Sequence, residues 1–394
     1  MNVLFLTTSF PRDKEDDTSV FLKYLATSLL TAGINVEVVV PDDVSVSSSV
    51  REIEPFTIRR FGYGIFQSGK LAFGAGLLTN LRSHPLRILQ LPMLCLKMLQ
   101  TGYAASKNAD IIHAHWIIAA GVGAVIARLR GIPLVITVHG SEMLLLRSRV
   151  LSYLVGRILS KADSIITVSE GFKKILTESF PKLSSKIVCI PFGSDHFSNC
   201  DEAKIPTELE SIINDRRYLL AVGSLGPRKN QEALLPILTD ERLLNTTLVL
   251  CGKTDDHMYV ERIKYRANQL GVTNRVFIIG AQPPLVVAAL LKKCLIFVSA
   301  STFEGRPIAL LEALAAGCLT LVSRIPAHIE VIEDGVNGFL FNLGDDPKSI
   351  IAPKFSLSDD TLKIKQNAQN SVKNLSWKLC ASEHKKIYEE TPLS

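Results

Sequence analysis

With 394 residues, 47% of them hydrophobic, the chain exceeds the size at which one core keeps growing, so two domains of about 150 to 200 residues are expected. No apolar run reaches the roughly 20 residues a spanning helix needs; the best, Trp116–Ala127, ends at Arg128 and Arg130. A formal net charge of +6 favours an acidic partner: a nucleotide phosphate, a lipid headgroup or an anionic polymer.

Strand-like residues begin at Asn2, which leaves no room for an export signal, so a cytoplasmic protein is expected. Short β-branched runs follow at Val3–Thr8, Val36–Pro41, Ile111–His115, Leu134–Val138, Ile165–Ser169 and Ile187–Pro191. A second set lies at Tyr218–Gly223, Leu248–Gly252, Val276–Gly280, Phe297–Ala300, Leu319–Ser323 and Gly338–Asn342. Many are apolar at nearly every position, as strands buried on both faces of a parallel sheet are. Helical patterns such as Phe21–Thr31, Glu170–Ser179, Tyr259–Leu270 and Ala309–Ala316 alternate with them. The fold class is therefore α/β, with two doubly wound, Rossmann-like domains.

The break between them is placed in His196–Arg217, a polar stretch holding Asp201, Glu202, Lys204 and Pro206, giving domains 1–200 and 201–374. Residues 44–108 interrupt the rhythm, with Arg59, Arg60, Lys70, Arg82, Arg87 and Lys97 among Phe61, Tyr63, Phe66, Phe73, Leu78 and Met93. Two readings stand: a surface that leans on a membrane or a lipid-linked acceptor, or an amphipathic insertion packed on its own domain. The seven cysteines are scattered without C-x-x-C spacing and read as reduced core residues.

Ligands of such sheets bind beyond the carboxyl ends of the strands, so the loops there carry the chemistry. The first candidate is Glu304-Gly305-Arg306-Pro307-Ile308-Ala309-Leu310-Leu311-Glu312. With Pro307 at the first helical position, the N–H groups of Ile308, Ala309 and Leu310 are free to bind a diphosphate. Glu304 and Glu312 would then accept from the hydroxyls of a sugar and a ribose; the plainer reading is a surface loop and a capped helix. The second candidate is Gly223-Ser224-Leu225-Gly226-Pro227-Arg228-Lys229-Asn230, where glycine permits close backbone approach and Arg228 and Lys229 would neutralise a diphosphate. It is neither a Walker loop nor a G-x-G-x-x-G fingerprint, and alone it equally suits a solvated turn. Third is His139 in Thr137-Val138-His139-Gly140-Ser141, a donor to a sugar hydroxyl or a satisfied core histidine. His113 and His115 are read as facing opposite sides of their strand and as a poor metal pair. No Asp-x-Asp occurs, so leaving-group stabilisation is assigned to Arg, Lys and helix amides, with no metal or other cofactor expected.

These residues carry a resemblance. The chain resembles the family 4 glycosyltransferases, retaining enzymes of GT-B architecture with two Rossmann-like domains facing a cleft. Thr8-Ser9-Phe10-Pro11-Arg12, Ile112-His113-Ala114-His115-Trp116, Thr137-Val138-His139-Gly140-Ser141, Thr167-Val168-Ser169-Glu170, Ile190-Pro191-Phe192-Gly193-Ser194-Asp195 and Asp334-Gly335-Val336-Asn337-Gly338 match family landmarks in order. Glu304 and Glu312 match its Glu-x7-Glu signature. The resemblance implies that Glu304 serves the donor sugar, Glu312 the ribose, Lys229 the diphosphate, and His139 the sugar and transition state. It departs from the family at Ser224, where Arg is common, at Arg306-Pro307, where Phe-Gly is common, and in lacking glycine over Asp13–Ser19. Leu375-Ser376-Trp377 resembles the segment that returns the last helix, about 375–394, to the first domain.

The expected activity is retaining, metal-independent transfer of a sugar from a nucleotide-diphosphate donor to a hydroxyl acceptor. The acceptor would be a glycan or lipid-linked, as in cell-surface polysaccharide synthesis. Peripheral contact with the inner face of the membrane is part of this expectation, and a nucleic-acid partner is not. The alternatives are a GT-B nucleotide-sugar epimerase and a non-catalytic nucleotide-sugar-binding relative.

Overall fold

The computed structural model describes residues 1–12, 16, 18–42, 50–53, 55–63, 71–72, 77, 80–81, 84–195, 204–213, 217–345 and 359–391. The chain divides into two compact units, Met1–Gly193 together with Trp377–Ser394, and Ser194–Ser376.

In the first unit the described strands are β1 (Asn2–Leu6), β2 (Asn35–Pro41), β3 (Val50–Ile53), β4 (Phe56–Phe61), β5 (Ile111–His115), β6 (Leu134–Val138), β7 (Ser164–Thr167) and β8 (Ile187–Cys189). They order as β3-β4-β2-β1-β5-β6-β7-β8, parallel except for β3 against β4. Every residue of β5 and β6 is buried, so β6 is apolar but for Thr137, and the His113 and His115 of β5 lie in the interior with it. From β1 the chain crosses to β2 on one side, while β5 lies on the other, so the topological switch falls between β1 and β5.

Caps mark the helix limits where the sequence signals them. Ser169 Oγ accepts the Phe172 N–H at 3.2 Å to start Glu170–Ser179, and Gly131, at φ 67°, ends Ile117–Arg130 in the left-handed region. The last helix, Trp377–Glu390, belongs to this first unit. It packs on Val20–Thr31, with the Trp377 and Tyr24 rings 5.5 Å apart and Lys385 Nζ donating to the Ala32 carbonyl at 3.2 Å.

The interruption at 44–108 resolves into parts. β4 adds to the parallel sheet, and Phe61, Tyr63 and Leu94 are core residues. Arg60, 1% exposed, donates to the Pro11 carbonyl. These side chains therefore face no membrane; Phe66, Lys70, Phe73, Leu78 and Arg82 lie outside the described residues, as do 196–203 and 214–216 of the linker.

The second unit holds β9 (Arg217–Val222), β10 (Thr246–Cys251), β11 (Val276–Gly280), β12 (Ile296–Ser299), β13 (Thr320–Ser323) and β14 (Phe339–Phe341). All are parallel, in the order β11-β10-β9-β12-β13-β14. Apolar clusters cover both faces of this sheet, and its switch point lies between β9 and β12. The buried Cys294 and Cys318 are thiols whose sulfurs lie 3.8 Å apart. Among the described residues no helix is long and apolar enough to cross a membrane.

Candidate active site

Two loops leave the switch point of the second sheet side by side. One follows β9 through Gly223 to Asn230; the other follows β12 through Ser301 to Pro307. They are tied together by the Thr302 N–H, which donates to the Arg228 carbonyl at 2.8 Å. Gly223, at φ 139°, leaves room for the Lys229 side chain, whose Cε would lie 2.9 Å from any Cβ there. A Cβ on Gly252 would stand 2.1 Å from the Gly223 carbonyl oxygen, so these two glycines let adjacent strand ends close up.

The loops converge on Glu304. Its Oε1 accepts from Lys229 Nζ at 2.6 Å and from Ser301 Oγ at 2.8 Å, and its Oε2 accepts from the Arg228 guanidinium at 2.7 Å. Burial alone would raise this carboxyl, but Lys229 and Arg228, with the hydrogen bonds from Lys229 and Ser301, outweigh it and hold the group down at about 2. One buried carboxylate is thus compensated by two cations, leaving a local excess of one positive charge beside a recess. Val222, Lys229, Glu304, Pro307, Ala309 and His328 are among the residues lining that recess. His328 Nδ1 meets the Ser323 carbonyl at 2.7 Å, and burial lowers the pKa of its ring.

The helix after Glu304 begins one residue later than the spacing suggests. Pro307, at φ −84° and ψ 73°, is the N-cap of Ile308–Ala315, not its first residue. As a result the Ile308 N–H donates to the Arg306 carbonyl and the Leu310 N–H to the Pro307 carbonyl, both at 3.0 Å. Of the three amides expected to be free, Ala309 alone makes no hydrogen bond among the described residues. The anion-binding capacity of this helix end is therefore narrower than predicted. Arg306 turns to Glu330, at 3.3 Å, while Glu312 is buried in the helix and Ser224 is exposed. Sequence reasoning missed Gln231, which accepts the Gly226 N–H at 3.3 Å and donates to the Ser224 carbonyl at 3.1 Å, fixing the first loop.

His139 belongs to the first unit, directly after β6. Its ring lies 4.4 Å from that of Trp116 and 5.3 Å from that of Phe21, and its Nε2 meets His115 Nδ1 at 3.2 Å. Burial, with a smaller contribution from His384, lowers its pKa to about 3, so the imidazole is neutral at physiological pH and carries one N–H. Trp116, at φ 67°, is a strained non-glycine position beside it.

The expectation for His113 and His115 is corrected. Positions two apart on a strand share a face, and the two rings lie 4.2 Å apart. His113 bridges Tyr388 Oη at 2.6 Å and Thr137 Oγ1 at 2.7 Å, a structural arrangement. Among the described residues no group of three or more His, Cys, Asp or Glu is placed to hold a metal. Glu142 was also missed. It is 1% exposed, and its Oε2 accepts from the N–H groups of His139 at 3.2 Å and Gly140 at 3.0 Å. Burial raises this carboxyl to about 7 against those hydrogen bonds.

Comparison with known proteins adds the lineage. The family profile "Glycosyl transferases group 1" matches residues 208–371, and "Glycosyltransferase Family 4" matches residues 18–196. The chain is 27% identical, over 324 residues, to the UDP-Gal:alpha-D-GlcNAc-diphosphoundecaprenol alpha-1,3-galactosyltransferase of Escherichia coli, covering 76% of this chain and 82% of that one. Sucrose-phosphate synthase from Thermosynechococcus elongatus superposes with a TM-score of 0.80 at 17% identity, over 99% of both chains. Anabaena HepE, solved in complex with UDP-glucose, superposes with a TM-score of 0.71 at 19% identity, again over 99% of both. With two parallel-sheet α/β units, neighbours of GT-B architecture and profiles that together span both units, the chain belongs to the family 4 glycosyltransferases and has the GT-B fold.

Proposed function

We propose that this glycosyltransferase moves a sugar from a nucleoside-diphosphate donor to a hydroxyl acceptor, with retention of configuration and without a metal ion. The observation that carries the reading is Glu304 held between Lys229 and Arg228 at the switch point of the second sheet. A donor diphosphate would take Lys229 and Arg228 as partners, releasing the Glu304 carboxylate to accept from sugar hydroxyls. As the sugar–phosphate bond breaks, the two cations and the Ala309 amide would offset the charge gathering on the leaving diphosphate. Neutral His139 would donate its N–H to the sugar, and Glu312 would serve the ribose. The leaving phosphate would help deprotonate the incoming hydroxyl on the same face, so the configuration is kept.

The E. coli relative is named for a diphosphoundecaprenol-linked acceptor, and the HepE crystal holds UDP-glucose. By analogy we assign a UDP-sugar donor and a lipid-linked acceptor, with the enzyme working at the cytoplasmic face of a membrane.

The test is a thermal-shift panel of UDP, GDP, ADP and their hexose conjugates, with and without chelator, followed by NMR of the product's anomeric centre. Stabilisation by one nucleotide series that survives chelation, with an α-linked product from an α-linked donor, is expected. Loss of the shift on chelation would overturn metal independence, an inverted product would overturn retention, and donor conversion without acceptor would point to an epimerase. No response across the panel would favour a non-catalytic protein.

A further inference from the structure

Three helices of the first unit, Leu91–Ala105, Ile117–Arg130 and Arg149–Leu159, pack side by side and bury their inner faces in one core cluster. The chain has 38 acidic residues, and not one falls on these helices. They carry Lys97, Arg128, Arg130, Arg149 and Arg157, and Arg147 and Lys161 flank the third. Among the described residues none of Lys97, Arg128, Arg149 or Arg157 is paired with a carboxylate.

The same outer face exposes large apolar side chains. Leu129 is 62% exposed, Val150 69%, Tyr153 65% and Leu154 49%. On the third helix Val150, Leu154 and Arg157 recur at intervals of four and three, so they lie along one line opposite the buried Val155 and Leu159. A purely electrostatic site for a soluble polyanion would have no use for the leucines and valine. A surface that enters the headgroup region of a bilayer needs both kinds of side chain.

We propose that this outer face docks the enzyme on an anionic lipid bilayer. The basic side chains meet lipid phosphates while Val150, Tyr153, Leu154 and Leu129 enter the boundary between headgroups and acyl chains. The inference deepens the lipid-linked acceptor reading and rests on it for its purpose, but docking itself requires neither donor nor acceptor. It also moves the membrane contact away from Phe61 and Tyr63, which are core.

Co-sedimentation of the full chain tests it, using vesicles of phosphatidylcholine alone or with about one third phosphatidylglycerol, at low and high salt. Binding only to the anionic vesicles, weakened by salt, is expected. Arg149→Gln with Arg157→Gln should lower the partition coefficient about thirtyfold, and Val150→Ser with Leu154→Ser at least about tenfold. All four positions are exposed, so both double variants should melt as the wild type does. Equal binding to neutral and anionic vesicles, or wild-type binding by either variant, overturns the proposal. In particular, serine variants that still bind would identify a polyanion site instead. The nucleotide thermal shift, measured on the same samples, separates the two readings: a protein that responds to nucleotide and ignores vesicles sinks the docking surface alone.

Discussion

Replacing Lys229 with methionine keeps the length of the side chain and removes its charge. Glu304 is held at about 2 against an ordinary 4.5, which corresponds to about 3 kcal/mol at about 1.4 kcal/mol per unit. Because the folded-state value is depressed, this stabilisation is fully present above pH 4.5 and is lost as pH falls towards 2. In the variant Arg228 is the one cation left beside the Ser301 hydrogen bond, with its side chain 55% exposed and its attraction screened, so burial gains weight and the Glu304 carboxyl rises. Lys229→Met should therefore cost about 2 to 3 kcal/mol at pH 7, and its deficit should shrink steadily below pH 4.5. Urea unfolding from pH 7 to pH 3 measures this. Trp116 and Trp377 both lie in the first unit, so fluorescence follows that unit, while far-ultraviolet circular dichroism follows both. The deficit belongs in the dichroism transition that fluorescence does not report. A deficit constant over this pH range, or one confined to the fluorescence transition, would refute the reasoning.

Glu142 should behave with the opposite sign. Its folded value of about 7 lies above the ordinary 4.5, so the first unit should lose about 3 kcal/mol as pH rises from 4.5 through 7. Glu142→Gln should flatten that slope, read by tryptophan fluorescence in urea. Gly252→Ala should destabilise the second unit by roughly 3 kcal/mol or more, because its Cβ would stand 2.1 Å from a backbone oxygen; an unchanged unfolding midpoint would mean that the strand ends are not closed as described.

The strands were legible because parallel sheets buried on both faces leave apolar runs, as in Leu134–Ile136 of β6 and Leu248–Cys251 of β10. Lys229, Arg228 and Glu304 were legible as chemistry-bearing residues on loops after such strands, though nothing in the sequence shows that they touch. Their contact depends on β9 pairing with β12, which brings Arg228 beside Glu304, 76 positions further along the chain. Gln231, Ser301 and His328 escaped notice because ordinary polar residues acquire meaning only from what folding sets beside them. Pro307 misled because proline suits both the first helical position and the cap, and the turn bond from Ile308 to Arg306 decides between them. The β4 strand was hidden by Arg59 and Arg60, two charges in six residues, one of which is buried against a carbonyl.

The return of Trp377–Glu390 to the first unit bears on how the protein is made. During synthesis the ribosome completes the whole of Ser194–Ser376 before releasing the helix that supplies Tyr388 to His113 and Trp377 to Tyr24. The amino-terminal half must wait, with its histidine stack incomplete, until the later half has been translated and is free to fold. A nascent chain arrested just before residue 377 would hold a finished second unit and an unfinished first one.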